Sequence, residues 1–158
     1  MRHRGFTLLE LMVVVGIIAI LALLAIPTYQ DKAIRDQIAE ALPLADIAKP
    51  SVALSWAMLQ NLPADNAAAG LPVADQIVNN YISSVAIQGG AINITFGNHA
   101  NRAGLGKILT LRPAVVTDAP IVPVTWVCGY ATAPDKMTIR GENKTNIPPG
   151  WLPLRCRA

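Results

Sequence analysis

"RGFTLLELMVVVGIIAILALLAIP", residues 4–27, decides how the rest of the chain is read. From Phe6 to Ile26 it holds one charge, Glu10. As an α-helix rising about 1.5 Å per residue, this run reaches about 30 Å, the thickness of a bilayer core. Arg2 and Arg4 precede it. The positive-inside rule then places the N-terminus in the cytoplasm and the remainder across the membrane, in the periplasm if the source is bacterial. A secretory signal peptide has the same basic start and apolar middle. However, no A-x-A site closes "AILALLAIP", and the helical pattern continues beyond Pro27. A plain single-span anchor explains the apolar run but gives Glu10 no role. An ionisable residue in a span costs about 2.5–3.5 kcal/mol on insertion scales, which marks it as functional and in need of a partner.

The 158 residues suit one modest domain beyond this segment. The hydrophobic fraction of 53% is high for a soluble chain, and much of the excess lies in the first 26 residues. The net charge of +3 falls to +1 once Arg2 and Arg4 are set aside. Bulk charge therefore gives no argument for a nucleic-acid-binding protein.

"GFTLLELMVVV" resembles the type IV pilin signature: Gly5, then Phe6, then Glu10 as the fifth residue after the junction. The resemblance extends to "PADNAAAGL", "YISSVAIQGGAINITFG" and the C-terminal cysteine pair, and matches the type IVa, major-pilin-like branch. It implies that a membrane prepilin peptidase removes residues 1–5 by cleaving after Gly5, and methylates the new N-terminus at Phe6. Residues 6–26 would be a transmembrane helix and later the filament core. Residues 27–158 would form the periplasmic, later extracellular, globular domain. Glu10 would then be an assembly residue. Cleavage frees an amine at Phe6, with an unperturbed pKa of about 7.7–8.0. That cation, on a neighbouring subunit, is a natural partner for a carboxylate in low dielectric, and the pair would fix the height of each helix in the bundle. The competing reading is a carboxylate tolerated at the membrane interface. The adjacent Gly5–Phe6 junction favours the assembly role.

After the span, Ile34, Ile38, Ala41, Leu42 and Ala45 form an apolar stripe at helical spacing. Asp31 with Arg35 and Lys32 with Asp36 are opposite charges at i, i+4 on the other face. The pattern continues through Ile47, Leu54 and Met58 and stops before Pro63. Pro27, Pro43 and Pro50 each lack a backbone donor and are expected to bend or break the helix. Residues 61–80 read as a loop with a helical turn. Four strands are expected: 81–88, 91–96 after a Gly89-Gly90 turn, 107–112 and 124–130. The fold class is α+β. A long helix, apolar then amphipathic, covers one face of a four-stranded antiparallel sheet, and a disulfide-bounded loop follows.

In an exported chain, Cys128 and Cys156, the only cysteines, form one disulfide. Closing a loop of about 29 residues is worth roughly 3–4 kcal/mol by loop-closure entropy. The resemblance implies the same bond. Two cysteines without nearby histidines do not make a zinc site, and there is no C-x-x-C redox pair. Lys136, Arg140, Lys144 and Arg155 lie in or beside this loop with Asp135 and Glu142. They offer a weak case for contact with a surface receptor or DNA. Sparse aromatic residues favour an ordinary solvated face. "GLGK" at 104–107 lacks the first glycine and the Ser/Thr of a phosphate loop. No cofactor and no catalytic residue is expected.

The expected function is a structural pilus subunit, not an enzyme, whose filament serves adhesion, twitching motility, or both. Its partners would be copies of itself, the peptidase/methylase, the inner-membrane assembly machinery and, before assembly, lipid. It would sit in the inner membrane as a precursor and then in the extracellular filament. The other readings within the fold are a minor pilin, a competence pilin for DNA uptake and a type II secretion pseudopilin. The reading from another class is a membrane-anchored periplasmic binding domain that never polymerises.

Overall fold

The computed structural model describes residues 5–158, with the side chains at 25–28 and 30 left out. The chain divides after Ala33 into an N-terminal unit and a larger unit, Ile34–Ala158.

Helix α1 runs from Leu8 to Ala45 without interruption, so Pro43 does not end it. The expected bend at Pro27 involves a side chain outside the described residues. The one break lies at residues 46–48, where the backbone N–H groups of Asp46, Ile47 and Ala48 donate three residues back. Helix α2, Lys49–Leu59, then restarts with Pro50 in its first turn, where a missing donor costs nothing.

The helical stripe runs on through that tight turn and corrects one expectation. Ile34, Ile38, Ala41, Leu42 and Ala45 are buried as the spacing requires. Ile47, Leu54 and Met58 are exposed instead, and the buried face passes to Ala48, Val52 and Trp56 at four-residue spacing. At about 100° per residue, Val52 and Trp56 fall within about 20° of Ala45, whereas Ile47, Leu54 and Met58 fall about 140–180° away, so these three lie on the opposite face and the stripe itself keeps its register.

The sheet is antiparallel. Strands β1 (Ile82–Gln88), β2 (Ala91–Phe96), β3 (Ile108–Val115) and β4 (Thr125–Cys128) lie in sequence order. A fifth, short strand, β5 (Thr138–Ile139), also pairs with β3 and was not expected. Inward residues of β2 and β3, namely Ile92, Ile94, Phe96, Leu109 and Leu111, share one core with Ile34 to Val52 of the helices. In β1, Ile82, Val85 and Ile87 all enter that core despite the odd spacing of the first two. A register irregularity between Ile82 and Ser84 absorbs the extra residue.

The third strand extends past its expected end at Arg112, through Pro113. Pairing with β2 stops at Ile92↔Leu111, so the proline occupies a position where no β2 acceptor awaits its missing N–H. Its carbonyl accepts from Arg140 N at 2.8 Å, beside β5.

Candidate assembly helix and the disulfide-bounded region

Gly5 and Phe6 precede α1, and Phe6 is exposed. Glu10 lies in the first turn of α1. Its backbone N–H donates to Thr7 Oγ1 at 3.2 Å, and Leu11 N donates to Thr7 O at 3.2 Å. Thr7 therefore caps the helix, with Glu10 at the third helical position. Thr7-x-x-Glu10 is the spacing of a capping box, a signal present in the sequence that the reading of Glu10 as an assembly residue left unused. A carboxylate here also faces the positive end of the helix dipole. Glu10 thus has a local role whatever else it does.

The large apolar residues of α1 from Leu8 to Leu24 are exposed on every side of the helix in the isolated chain. A helix apolar all round is built to be surrounded. Among the described residues, no helix is long and apolar enough to cross a membrane. The expected span, 6–26, ends on side chains outside the described residues.

Cys128, the last residue of β4, is bonded to Cys156, with a Cα–Cα distance of 4.5 Å. Both cysteines belong to the core. Gly129 follows with φ 56°, and a Cβ there would lie 2.8 Å from Cys156 O. The close approach brings Tyr130 N to within 3.0 Å of that same carbonyl.

The segment between the cysteines is held by far more than this bond. It crosses β3 from the β5 side at Arg140 to the β4 side at Asn146. Lys144 N donates to Thr110 Oγ1 at 3.0 Å, and Thr110 N donates to Thr145 Oγ1 at 3.0 Å. Asn146 exchanges two bonds with Ile108, accepting its N–H through Oδ1 at 2.7 Å and donating to its carbonyl at 3.1 Å. Thr110 itself is fully buried and donates to Asn93 Oδ1 at 2.8 Å. Tyr130 OH bonds the carbonyls of Thr145 and Ile147. Gly141 passes so close to Ala91 that a Cβ would fall 2.7 Å from it.

Arg112 is half-buried beneath this crossing. Its Nη2 donates to Gly129 O at 3.1 Å, and its Nε is buried without a partner among the described residues. Burial lowers its pKa from the ordinary arginine value. Gly129 O also accepts from Asn143 Nδ2 at 2.9 Å.

Another residue outside the sequence reading carries comparable weight. Asn66, in the segment read as a loop, is buried. It accepts from Ile87 N at 2.7 Å and donates to Val85 O at 3.0 Å and Pro72 O at 2.9 Å. One side chain thereby satisfies the outer edge of β1 as a neighbouring strand would.

Residues 35–157 match the family described as pilin, a bacterial filament family, and residues 1–26 match the prokaryotic N-terminal methylation motif. The chain belongs to the pilin family. It is 36% identical to a type IV major pilin, PilE, of Neisseria gonorrhoeae, over 98% of this chain and 94% of the relative. It is 34% identical to a type IV major pilin, PilE1, of the same species, over 98% and 87% respectively. A fimbrial protein of Neisseria meningitidis serogroup B is 31% identical over 98% of this chain and 94% of its own length. The pilin match covers the sheet, both cysteines and the crossing segment. The methylation-motif match covers Gly5, Phe6 and Glu10.

Proposed function

We infer that this pilin is a structural subunit of a type IV pilus, polymerised through α1 into a filament for adhesion and twitching motility. The observation that carries the inference is the uniformly exposed apolar surface of α1 up to Leu24, on a chain whose relatives are type IV major pilins. An apolar helix in water is stabilised only when other apolar surface covers it. Lipid can cover it in a precursor, and the α1 helices of other copies can cover it in a filament. The methylation motif supports a membrane-anchored precursor processed by a prepilin peptidase.

Within this reading, cleavage follows Gly5 and Phe6 becomes the methylated N-terminus. Glu10 pairs with the Phe6 amine of a neighbouring copy, and the span is 6–26. The family is a structural one, and no catalytic step is assigned to any residue. Intact mass of the subunit from sheared surface filaments tests the processing. A chain beginning at methylated Phe6 is expected. A mature start beyond residue 25 would mean an ordinary signal peptide and would remove the polymerising helix.

A further inference from the structure

Trp56 is 5% exposed, yet its indole Nε1 is buried without a hydrogen-bond partner among the described residues. Buried donors left without an acceptor are rare and call for an explanation. Trp56 also lines a surface cavity of about 260 Å³ with Gln60, Asn61, Leu62, Thr117 and Arg140. The backbone around this cavity is fixed. Gln60 closes α2 in the left-handed region, at φ 49°, with its N–H donating to Trp56 O at 2.9 Å. Arg140 is pinned by its backbone bond to Pro113 O. The side chains, by contrast, are available. Asn61 uses its oxygen on Leu62 N at 3.0 Å, leaving its amide nitrogen to donate. Among the described residues Arg140 forms no salt bridge.

The cavity therefore offers an excess of donors and one cation, and no carboxylate lines it. A guanidinium matches a carboxylate as a two-pronged fork. Amides and a hydroxyl both donate and accept, as a ring of hydroxyl groups requires. Leu62 supplies apolar surface for the face of a ring, and the largely buried indole borders it. Drug-sized ligands occupy clefts of roughly 300–1,000 Å³, so this volume suits a single ring. We propose that this cavity binds a carboxylate-bearing sugar ring of the hexuronic acid type, with Arg140 on the carboxylate and Trp56 beside the ring. The cavity lies wholly within the unit Ile34–Ala158.

The test uses the full chain in detergent, labelled with ¹⁵N, and follows the Trp56 indole N–H resonance, identified by its loss in Trp56→Phe. Methyl glucuronide is expected to shift it saturably, with a dissociation constant in the millimolar range. Methyl glucoside and acetate are each expected to bind roughly tenfold more weakly or worse. Arg140 is exposed, so Arg140→Gln keeps the fold, and it should weaken glucuronide binding roughly tenfold without changing that of the glucoside. If Trp56→Phe does not fold, the Arg140→Gln comparison carries the test by calorimetric titration. Absence of saturable binding overturns the proposal. So does equal affinity for glucuronide and either control, or an unchanged affinity in Arg140→Gln.

Discussion

Replacing Asn66 with alanine would remove three hydrogen bonds at once and leave Ile87 N–H and Val85 C=O facing a buried gap. An unsatisfied buried backbone group costs about 1–3 kcal/mol, so Asn66→Ala is expected to lose about 2–4 kcal/mol. Urea titration of the full chain in detergent measures it. A loss below about 1 kcal/mol would mean that water replaces the side chain at the edge of β1. Arg112 makes the opposite case. Among the described residues its guanidinium has no carboxylate partner and its Nε no acceptor, and Gly129 O keeps Asn143 without it. Burying an unpaired cation is unfavourable, so Arg112→Met is expected to leave stability within about 1 kcal/mol of the parent, or to raise it. A loss of several kcal/mol in the same titration would show that the guanidinium anchors the crossing segment.

At the scale of elements, the disulfide-bounded segment carries Pro134, Pro148, Pro149 and Pro153, and from sequence only the bond itself is seen to hold it. The structure instead lays it across β3 through Thr110, Ile108 and Pro113. Cys156→Ser is therefore expected to cost about 3–4 kcal/mol, chiefly through the unfolded chain, while the folded crossing persists. Hydrogen exchange should keep Thr110 and Asn146 amides protected while Tyr130, bonded to Cys156 O, loses protection. Loss of protection at all three would mean that the bond alone holds the segment. The elements themselves were largely legible. The stripe from Ile34 to Ala45 and the Gly89-Gly90 turn are local patterns, and local patterns survive into the structure. Three features were not legible, because each depends on a distant partner. Whether Pro113 ends a strand depends on where β2 stops. Asn66 becomes structural only once β1 lies beside it. The two-residue strand β5 exists only because β3 offers it an edge. The misassignment of Ile47, Leu54 and Met58 differs in kind. The stripe Ile34–Ala45 continues in the sequence at Ala48, Val52 and Trp56, and two of these are small or aromatic residues easily passed over beside Ile47, Leu54 and Met58.

For the whole molecule, the exposed apolar surface of α1 and the cap at its start involve different parts of Glu10, the side chain and the backbone N–H. Thr7 caps the helix by accepting the backbone N–H of Glu10, a bond that needs no charge on the Glu10 side chain, and glutamine suits this helix position as well as glutamate. Pairing with an amine on another copy needs the charge. Glu10→Gln separates the two roles, because it keeps the cap and the shape while removing the anion. Membrane-fraction protein is expected to stay at parental levels, since a neutral side chain is easier to bury. Sheared filament yield is expected to fall sharply. A buried ion pair broken from one side costs about 3–5 kcal/mol, and the cost recurs with every subunit added. Thr7→Ala is the matching control. It removes the cap and leaves the carboxylate, at about 1 kcal/mol of local helix stability, and should reduce filament yield far less. Normal yield from Glu10→Gln with a large loss from Thr7→Ala would reverse the assignment, making Glu10 part of the helix start and no contact between copies. Loss of both variants from the membrane fraction would place their role in insertion, before any filament forms.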